Sequence, residues 1–404
     1  MIKRKRYIER LFEFKDSPVV KIITGLRRSG KSSILISFIE ELKKTGIPER
    51  NIIFFDFESL KFAAFRDYLS LYNEIISMSK HGDEQHKIYI FLDELQNVDG
   101  WEKAVASLMK DLDSDIYITG SNSRLLSGEF ATHLAGRYVE TRIFPLTFSE
   151  FKEFHKATNE ETKSNKELFW DYMRFGGLPG IHFMHKNESL IWQYLTDVYN
   201  SVILKDVIER NGIKSAEKLE STMYFLLENI GNIFSAKSIA AFVKSQFRTF
   251  GNDAVYEFLN ALQNAFIINK VSRYDLKGKQ VLETLEKYYV ADLGIRNAVT
   301  GFRQNDIGAF LENIVLMELL SRGFKVFIGK KDAFEIDFIA EKNENRTYIQ
   351  VSYLLTDIAT TEREFRPLRE IGDNYEKIVL TLDDTPDFND NGIQKRNLLD
   401  WLLS

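Results

Sequence analysis

The chain has 404 residues, of which 44% are hydrophobic, and its 54 lysine and arginine residues against 59 aspartate and glutamate residues give a formal net charge of -5. This is the composition of a globular protein of two or three domains, and it excludes wholesale disorder, a fibrous repeat and a globally basic nucleic-acid coat. The absence of cysteine excludes disulfides, thiolate nucleophiles, iron–sulfur clusters and Cys-ligated zinc.

The amino-terminal segment is charged and lacks the continuous apolar core of a signal peptide. No later stretch approaches the ~18 uncharged apolar residues that a membrane-spanning helix needs. We therefore expect a soluble, cytoplasmic protein that does not enter a membrane.

Short apolar runs alternate with longer amphipathic segments in the first third of the chain. The runs are VVKIITG, NIIFFDFE, KIYIFLDE, SDIYITGSN and RYVETRIFPL. This alternation is typical of an α/β domain, because each strand is followed by a helix that returns the chain to the same edge of a parallel sheet. The first third is therefore predicted to be α/β, with helices on both faces of the sheet.

A phosphate-binding loop is predicted between the first strand and the first long helix of this domain. Residues 25–32 match the pattern G-x-x-x-x-G-K-[ST], in which glycines let backbone N–H groups turn toward phosphates and the helix N-terminus adds a favourable dipole. Lys31 would reach the β- and γ-phosphates of ATP, and Ser32 would ligate Mg²⁺. The predicted nucleotide-binding residues are Gly25, Leu26, Arg27, Arg28, Ser29, Gly30, Lys31, Ser32 and Ser33.

Two carboxylates follow the apolar strand at residues 88–92. Asp93 would hold Mg²⁺ through its water shell, and Glu94 would orient or deprotonate the attacking water. A strand that ends in acids is a weak signal alone, since turns are rich in aspartate. Together with the lysine loop it predicts a Mg²⁺-dependent ATPase.

Two further positions could assist catalysis. A later strand ends in Gly120-Ser121-Asn122, where Ser121, or as second choice Asn122, could sense the γ-phosphate; a turn that uses these residues for local backbone bonds is an equally good interpretation. Arg137 could stabilise transition-state charge in its own subunit or in a neighbouring subunit of a homo-oligomer. An ordinary surface arginine is the alternative.

The pattern changes after Pro145. A helical segment leads to Gly-Gly-Leu-Pro-Gly at 176–180, which predicts a hinge because this sequence breaks both helix and strand. Further helices and then two strands around a turn at Lys277–Lys279 predict a winged helix. From about Asp306, a helix followed by strands predicts a third α/β unit.

These segments resemble a family of prokaryotic AAA-type ATPases with a C-terminal domain of unknown function. The resemblance spans nearly the whole chain, and its motifs are ITGLRRSGKSS, FLDELQ, ITGSNSRLLSGEFATHLAGR, PLTFSEF, GGLP, YYVADLGIR, GAFLENIVLMEL and EIDF. It implies an ATPase fold with its second strand beside the third, a winged-helix-like middle and a C-terminal domain similar to restriction-endonuclease-like nucleases. The expected domains are an ATPase core at 1–147, a helical lid and hinge at 148–212, a winged-helix-like domain at 213–304 and the nuclease-like domain at 305–404.

The resemblance also implies a nuclease-like centre with a defect. Such nucleases carry an acid on a first helix, an aspartate at a strand end and E-x-K on the next strand. Glu312 and Asp337 match the first two elements, whereas Gln350 and Ser352 stand where the glutamate and lysine should be. We therefore expect the fold without nuclease activity, although a glutamine carbonyl could still bind a metal and a lysine elsewhere could substitute.

The leading hypothesis is an ATPase that moves its helical and C-terminal units about the 176–180 hinge and acts on DNA or on a DNA-bound partner. The alternatives are a slow nucleotide-gated switch that binds a protein partner and, disfavoured by Gln350 and Ser352, an ATP-dependent nuclease. ATP turnover would distinguish an enzyme from a switch, and Glu94 favours turnover.

Any DNA contact is expected within residues 236–287, where eight basic residues exceed five acidic ones and give a local charge of 8 - 5 = +3. Helix 252–264 would face the groove, despite its Asp253 and Glu257, and hairpin residues would meet phosphates. An interdomain scaffold with an ordinary surface is a slightly preferred alternative. The basic residues are Lys237, Lys244, Arg248, Lys270, Arg273, Lys277, Lys279 and Lys287.

Overall fold

A computed structural model describes residues 2–126, 134, 136–159, 161–184, 187–247 and 250–404. The chain folds as two compact units. The first extends to Ile143 and includes Asn264–Phe266, and the second comprises Phe144–Gln263 and Ile267–Ser404. Among the described residues, no helix has both the length and the apolar character needed to cross a bilayer.

The first unit is an α/β domain, as the alternating pattern predicted. Strands and helices follow one another as α1 Lys5–Glu13, β1 Val20–Gly25, α2 Lys31–Lys44, β2 Ile52–Asp56, α3 Tyr68–Ser79, β3 Ile88–Asp93, α4 Trp101–Asp111, β4 Ser114–Gly120 and β5 Tyr138–Ile143.

The sheet of this unit has five parallel strands in the order β2-β3-β4-β1-β5. The second strand lies beside the third, as the family resemblance implied. Strands β1 and β3 are buried along their whole length, which explains their continuous apolar sequences. Because all strands are parallel, the carboxyl ends of β1, β3 and β4 meet at one edge, directly above the loops that follow them.

Both faces of this sheet are covered. Along β3, Ile90 and Leu92 belong to one apolar cluster with helices α3 and α4, whereas Tyr89 and Phe91 belong to another with helices α1 and α2. Successive strand residues point to opposite faces, so this alternation places one cluster on each side. The sheet is therefore a rigid layer between two helical layers, and it fixes the positions of the loops at its edge.

The second unit starts as a helical region and ends in a mixed sheet. Its helices are α5 Phe148–Thr158, α6 Asn165–Phe175, α7 Glu188–Ser201, α8 Ala216–Glu228, α9 Ala236–Gln246, α10 Asn252–Asn264, α11 Leu293–Thr300, α12 Ile307–Ser321, α13 Ile358–Arg369 and α14 Leu398–Leu403, and a π-helix at Val202–Glu209 continues α7. Its strands are β6 Ile268–Asp275, β7 Gln280–Val290, β8 Lys325–Lys331, β9 Phe334–Lys342, β10 Asn345–Ser352, β11 Glu376–Thr381, β12 Phe388–Asp390 and β13 Ile393–Asn397.

The eight strands form one sheet in the order β12-β13-β11-β10-β9-β8-β6-β7. Three helices, α8 to α10, precede the β6–β7 hairpin, which is the element order predicted for a winged helix. The hairpin does not stand alone, however, because β6 pairs in parallel with β8 through Arg273 and Ile328. The expected boundary between residues 304 and 305 therefore does not coincide with a change of compact unit.

The segment at 176–180, which was predicted as a hinge, is a close-packed turn within the second unit. The Gly177 N–H donates to Asp292 Oδ2 at 2.7 Å, and the Leu146 N–H donates to the Gly177 carbonyl at 2.7 Å. A Cβ atom on Gly176 would lie 2.2 Å from Asp292 Oδ1. The glycines allow close approach to a buried carboxylate, which restrains the backbone, and the chain leaves the first unit earlier, after Ile143.

Candidate active site

The loop between β1 and α2 has the backbone that phosphate binding requires. Gly25 has φ 146° and a Cβ there would lie 2.2 Å from the Ile143 carbonyl oxygen, so only glycine fits. Arg28 has φ 66° and Gly30 has φ 100°, and α2 starts at Lys31. Left-handed residues just before a helix N-terminus form a concave row of N–H groups suited to an anion.

The Lys31 side chain folds over this loop. Its Nζ donates to the carbonyl oxygens of Gly25 at 3.1 Å and Leu26 at 3.3 Å, and it lies 3.5 Å from Glu94 Oε1. The side chain is only 4% exposed. A buried ammonium held by two carbonyls and one carboxylate can transfer to phosphate oxygens without leaving the loop.

Asp93 and Ser32 form the part of the site that fits Mg²⁺. The Thr119 hydroxyl donates to Asp93 Oδ1, and the Ser32 side chain also hydrogen-bonds this carboxylate. Burial raises the pKa of Asp93, and the hydrogen bonds from Thr119 and Ser32 act in the opposite direction. Hard oxygen donors on a buried carboxylate and a hydroxyl match a cation that binds few protein ligands and keeps several waters.

Glu94 lies at the turn after β3, in a left-handed conformation with φ 53°. Its N–H donates to Thr119 Oγ1 at 2.9 Å. Its carboxylate accepts hydrogen bonds at Oε2 from Gln96 Nε2 and, at 3.2 Å, from Ser121 Oγ. The structure thus brings Ser121 to the same carboxylate that was predicted to act on water.

Most of the predicted residues lie at this edge of the sheet, but two residues that hydrogen-bond to them, Thr119 and Gln96, were not predicted. Thr119 joins Asp93 to the backbone of Glu94, and Gln96 holds the Glu94 side chain. Gln96 lies in the acidic stretch FLDELQ that carries the family resemblance, and Thr119 immediately precedes the Gly-Ser-Asn turn. Their proximity to these motifs is the one feature of the sequence that could have indicated Gln96 and Thr119.

The remaining loop residues have varied surroundings. Arg27 Nη1 donates to Glu58 Oε1 at 2.8 Å, Ser33 is exposed, and Asn122 is buried. Ser29 is fully buried, and its carbonyl accepts a 3.1 Å hydrogen bond from Arg4 Nη1, a contact that the sequence did not predict. The amino-terminal helix region therefore supports the loop from outside the motif.

Arg137 does not reach this edge. Its carbonyl accepts a hydrogen bond from the Val20 N–H at 2.9 Å, at the start of β1, and the β1–β5 register pairs Val20 with Tyr138 and Gly25 with Ile143. Five residues of strand, about 17 Å at ~3.3 Å per residue, separate the Arg137 backbone from the phosphate loop. The Arg137 backbone therefore lies at the opposite edge of the sheet, farther from the loop than an arginine side chain extends, which argues against a role at the site of its own subunit.

Known families and proteins match both parts and the whole of this chain. Residues 17–152 match the family model of an AAA domain, and residues 166–306 match that of a domain of unknown function. An uncharacterized protein of Haemophilus influenzae is 38% identical and aligns over 100% of this chain and 99% of its own length. The chain belongs to this AAA-type P-loop ATPase family.

Two further proteins are similar to this AAA-type ATPase. An uncharacterized protein of Methanocaldococcus jannaschii is 31% identical over 97% of this chain and 88% of its own. The Walker-type ATPase PABY2304 of Pyrococcus abyssi matches in structure with a TM-score of 0.53 and 16% identity, covering 74% of this chain and 96% of that one. This structural likeness concerns the fold.

The positions that the sequence predicted to be nuclease-like also come together, in the second unit. The Asp337 N–H donates to Gln350 Oε1 at 2.7 Å, and the Val351 N–H donates to Asp337 Oδ2 at 2.8 Å. Gln350 Nε2 donates to Glu364 Oε2 at 3.3 Å. Both ends of the Gln350 amide are thus used in hydrogen bonds within the protein, while the Ser352 hydroxyl lies 3.5 Å from the Leu354 carbonyl.

A buried lysine from the β6–β7 hairpin lies among these carboxylates. Lys287 Nζ is 2.8 Å from Glu335 Oε1 and 3.4 Å from Glu312 Oε2, and the Tyr289 hydroxyl donates to Glu312 at 3.0 Å. Burial alone would lower the pKa of Lys287, but Glu312, Asp337 and Glu335 together raise it. Burial raises the pKa of Asp337 well above its usual value. Within the described residues, no group of three or more His, Asp or Glu side chains is arranged to hold a metal ion.

Proposed function

We propose that this protein is a Mg²⁺-dependent ATPase. One observation carries the proposal: a phosphate loop with a buried lysine, an aspartate beside a helix-start serine, and a glutamate held by a serine all meet at the carboxyl edge of one parallel sheet. Cation, metal ligand and general base are the three groups that phosphoryl transfer to water requires. The nucleotide-gated switch needs the first two, whereas a positioned Glu94 supports turnover.

The roles follow from the contacts. Lys31 moves from the carbonyls of Gly25 and Leu26 to the β- and γ-phosphate oxygens. Ser32 and Asp93 hold Mg²⁺, which neutralises phosphate charge when bound. Glu94 takes a proton from water as the water oxygen bonds to the γ-phosphorus and the bond to the β–γ bridging oxygen breaks, which yields ADP and phosphate. Ser121 holds Glu94 and senses the γ-phosphate from the end of β4.

We further propose that nucleotide state moves the second unit through the end of β5. The Ile143 carbonyl packs against Gly25 of the phosphate loop, and Ile143 is also where the chain leaves the first unit. A shift of the loop on phosphate binding would therefore act on the connection itself. The 176–180 segment, predicted as the hinge, lies inside the second unit and is hydrogen-bonded to Asp292.

Arg137, at the opposite edge, supports a homo-oligomer in which it serves the site of a neighbouring subunit. It is exposed, as a residue that reaches across a subunit interface must be in the separate chain. DNA, or a protein bound to DNA, remains the proposed target, with contact through the basic hairpin β6–β7.

The deciding experiment for the site is nucleotide binding by Lys31→Ala. Loss of the loop's only lysine should weaken ATP affinity at least tenfold, because it removes the ammonium that the Gly25 and Leu26 carbonyls hold over the loop. Calorimetry with ATP and Mg²⁺ measures this, and Lys44→Ala, at the exposed end of the same helix, is the matched control. Affinity equal to that of the wild type would overturn the site assignment.

A further inference from the structure

Gln96 occupies a defined place beside the proposed general base. Residues Leu95–Asn97 form a short 3-10 turn directly after Glu94. Leu95 is fully buried in the same apolar cluster as Ile118 of β4, so the turn is anchored to the sheet. The anchoring directs the Gln96 side chain toward the end of β4, where Ser121 also lies.

The end of β4 makes room for this side chain. A Cβ atom on Gly120 would lie 2.5 Å from Gln96 Oε1 and 1.9 Å from a methyl carbon of Leu125. The amide oxygen is buried against the glycine and has no hydrogen-bond partner among the described residues. The amide nitrogen faces the Glu94 carboxylate, and the reverse orientation would place two oxygens together, so electrostatics fixes the amide in this sense.

The two oxygens of the Glu94 carboxylate consequently have different surroundings. Oε2 accepts hydrogen bonds from Gln96 and Ser121, whereas Oε1 faces Lys31 at 3.5 Å. Lys31 and Gln96 therefore contact different oxygens of the carboxylate. Transfer of Lys31 to phosphate oxygens would leave in place the hydrogen bonds from Gln96 and Ser121 that orient Glu94.

We propose that Gln96 is a positioning residue for ATP hydrolysis, which holds the Glu94 carboxylate in one orientation toward the attacking water. The inference rests on the proposed ATPase function and deepens it. A pre-oriented base avoids the loss of rate that comes from a freely rotating carboxylate, because catalysis depends on geometry held before the reaction.

The test is a double-mutant cycle between Gln96→Met and Glu94→Gln. Methionine keeps the length of the side chain and removes the donor. We expect Gln96→Met to lower the single-turnover rate about tenfold or more while the Kd for ATP stays within about twofold. In the Glu94→Gln background the same change should have no further effect, because Gln96 acts through Glu94.

Matched variants separate this role from a structural one. Asn97→Leu changes the exposed neighbour in the same turn and should leave the rate unchanged. If Gln96→Met does not fold, Gln96→Leu, which also lacks the donor and adds no charge, should show the same loss.

Three results would overturn the inference: a wild-type rate in Gln96→Met, an equal loss in the Glu94→Gln background, or a loss matched by weaker ATP binding. The first, found with an active wild type, would refute Gln96 alone. A wild-type protein no faster than Glu94→Gln would instead refute the proposed hydrolysis and, with it, the role of Gln96.

Discussion

A buried lysine lies in each of the two clusters of charged side chains, Lys31 at the phosphate loop and Lys287 among the carboxylates of the second unit. Lys31 is held by carbonyls and one carboxylate, all of which can release it to phosphate. Lys287 is ion-paired with carboxylates on two different elements, Glu312 on α12 and Glu335 on β9. The same residue type is therefore available for catalysis in the first unit and serves as a fixed counter-charge in the second.

Removing the fixed counter-charge should be costly. Lys287→Met leaves Glu312, Glu335 and Asp337 facing one another without a cation, so we expect the free energy of unfolding to fall by about 3 kcal/mol. Urea denaturation at neutral pH measures the loss. Lys270→Met, which breaks a more exposed pair with Glu286 on the same hairpin, should cost under about 1 kcal/mol. Equal effects of the two variants would contradict this account.

Asp292 predicts a dependence of stability on pH. Burial raises its pKa from 3.8 to about 6, although three backbone hydrogen bonds oppose the shift. Between these two values the folded protein keeps a proton that the unfolded chain has lost, so the contribution of this group to stability falls as pH rises from about 4 to 6. The unfolding free energy of the wild type minus that of Asp292→Asn should therefore fall as pH rises from about 4 to 6. A difference that is flat or grows would refute the assignment.

The residues that could be predicted from sequence are those whose geometry is local. The phosphate loop, Asp93 and Glu94 depend on a strand, a turn and a helix start that are continuous in sequence. The contact of Gln96 with Glu94 was missed although it is close in sequence, because it depends on space left by Gly120 on another strand. The distance of Arg137 from the loop depends on the β1–β5 register, which no local pattern fixes.

At the level of elements, the β6–β7 hairpin differs most from expectation. It was predicted as a wing that meets phosphates, but Lys277 Nζ lies 3.3 Å from Asp332. Lys287 pairs with Glu312 and Glu335, and all three carboxylates lie outside the segment whose charge was counted. Lys279 is exposed at the turn with φ 51°. Arg248, also counted in the basic set, lies outside the described residues. The local excess of positive charge is thus partly neutralised by ion pairs, which favours an interdomain scaffold over tight binding to DNA phosphates.

Salt dependence of DNA binding tests the hairpin. If phosphates are bound there, replacing Arg273, Lys277 and Lys279 by alanine should lower the slope of log affinity against log salt by about 2 to 3, through lost counterion release. Duplex binding titrations at several salt concentrations measure it. The control removes three exposed lysines of the first unit, Lys43, Lys44 and Lys110, and should leave the slope unchanged. No affinity at low salt, or identical slopes, would defeat the DNA hypothesis.

The whole molecule combines an AAA-type P-loop unit with a second unit in which the residues predicted to be nuclease-like are paired within the protein. We expect the purified protein to leave plasmid DNA intact with Mg²⁺ or Mn²⁺, with or without ATP, because Gln350 is committed to hydrogen bonds and Lys287 is ion-paired. Agarose gels of supercoiled plasmid measure this. Cleavage that disappears in Asp337→Ala, but persists in Ser352→Ala, would show that the centre is active.

The continuity of the eight-stranded sheet limits how the protein can be divided. A fragment that begins at residue 305 would contain the segment that looks like a separate nuclease-like module. It would lack β6, and the N–H and C=O groups of β8 that pair with β6 would become an open edge, which invites intermolecular strand pairing. Such a fragment would also lose Lys287 and keep three uncompensated carboxylates. The smallest piece expected to remain monodisperse in solution therefore starts before Ile268, inside what the sequence presents as the preceding domain.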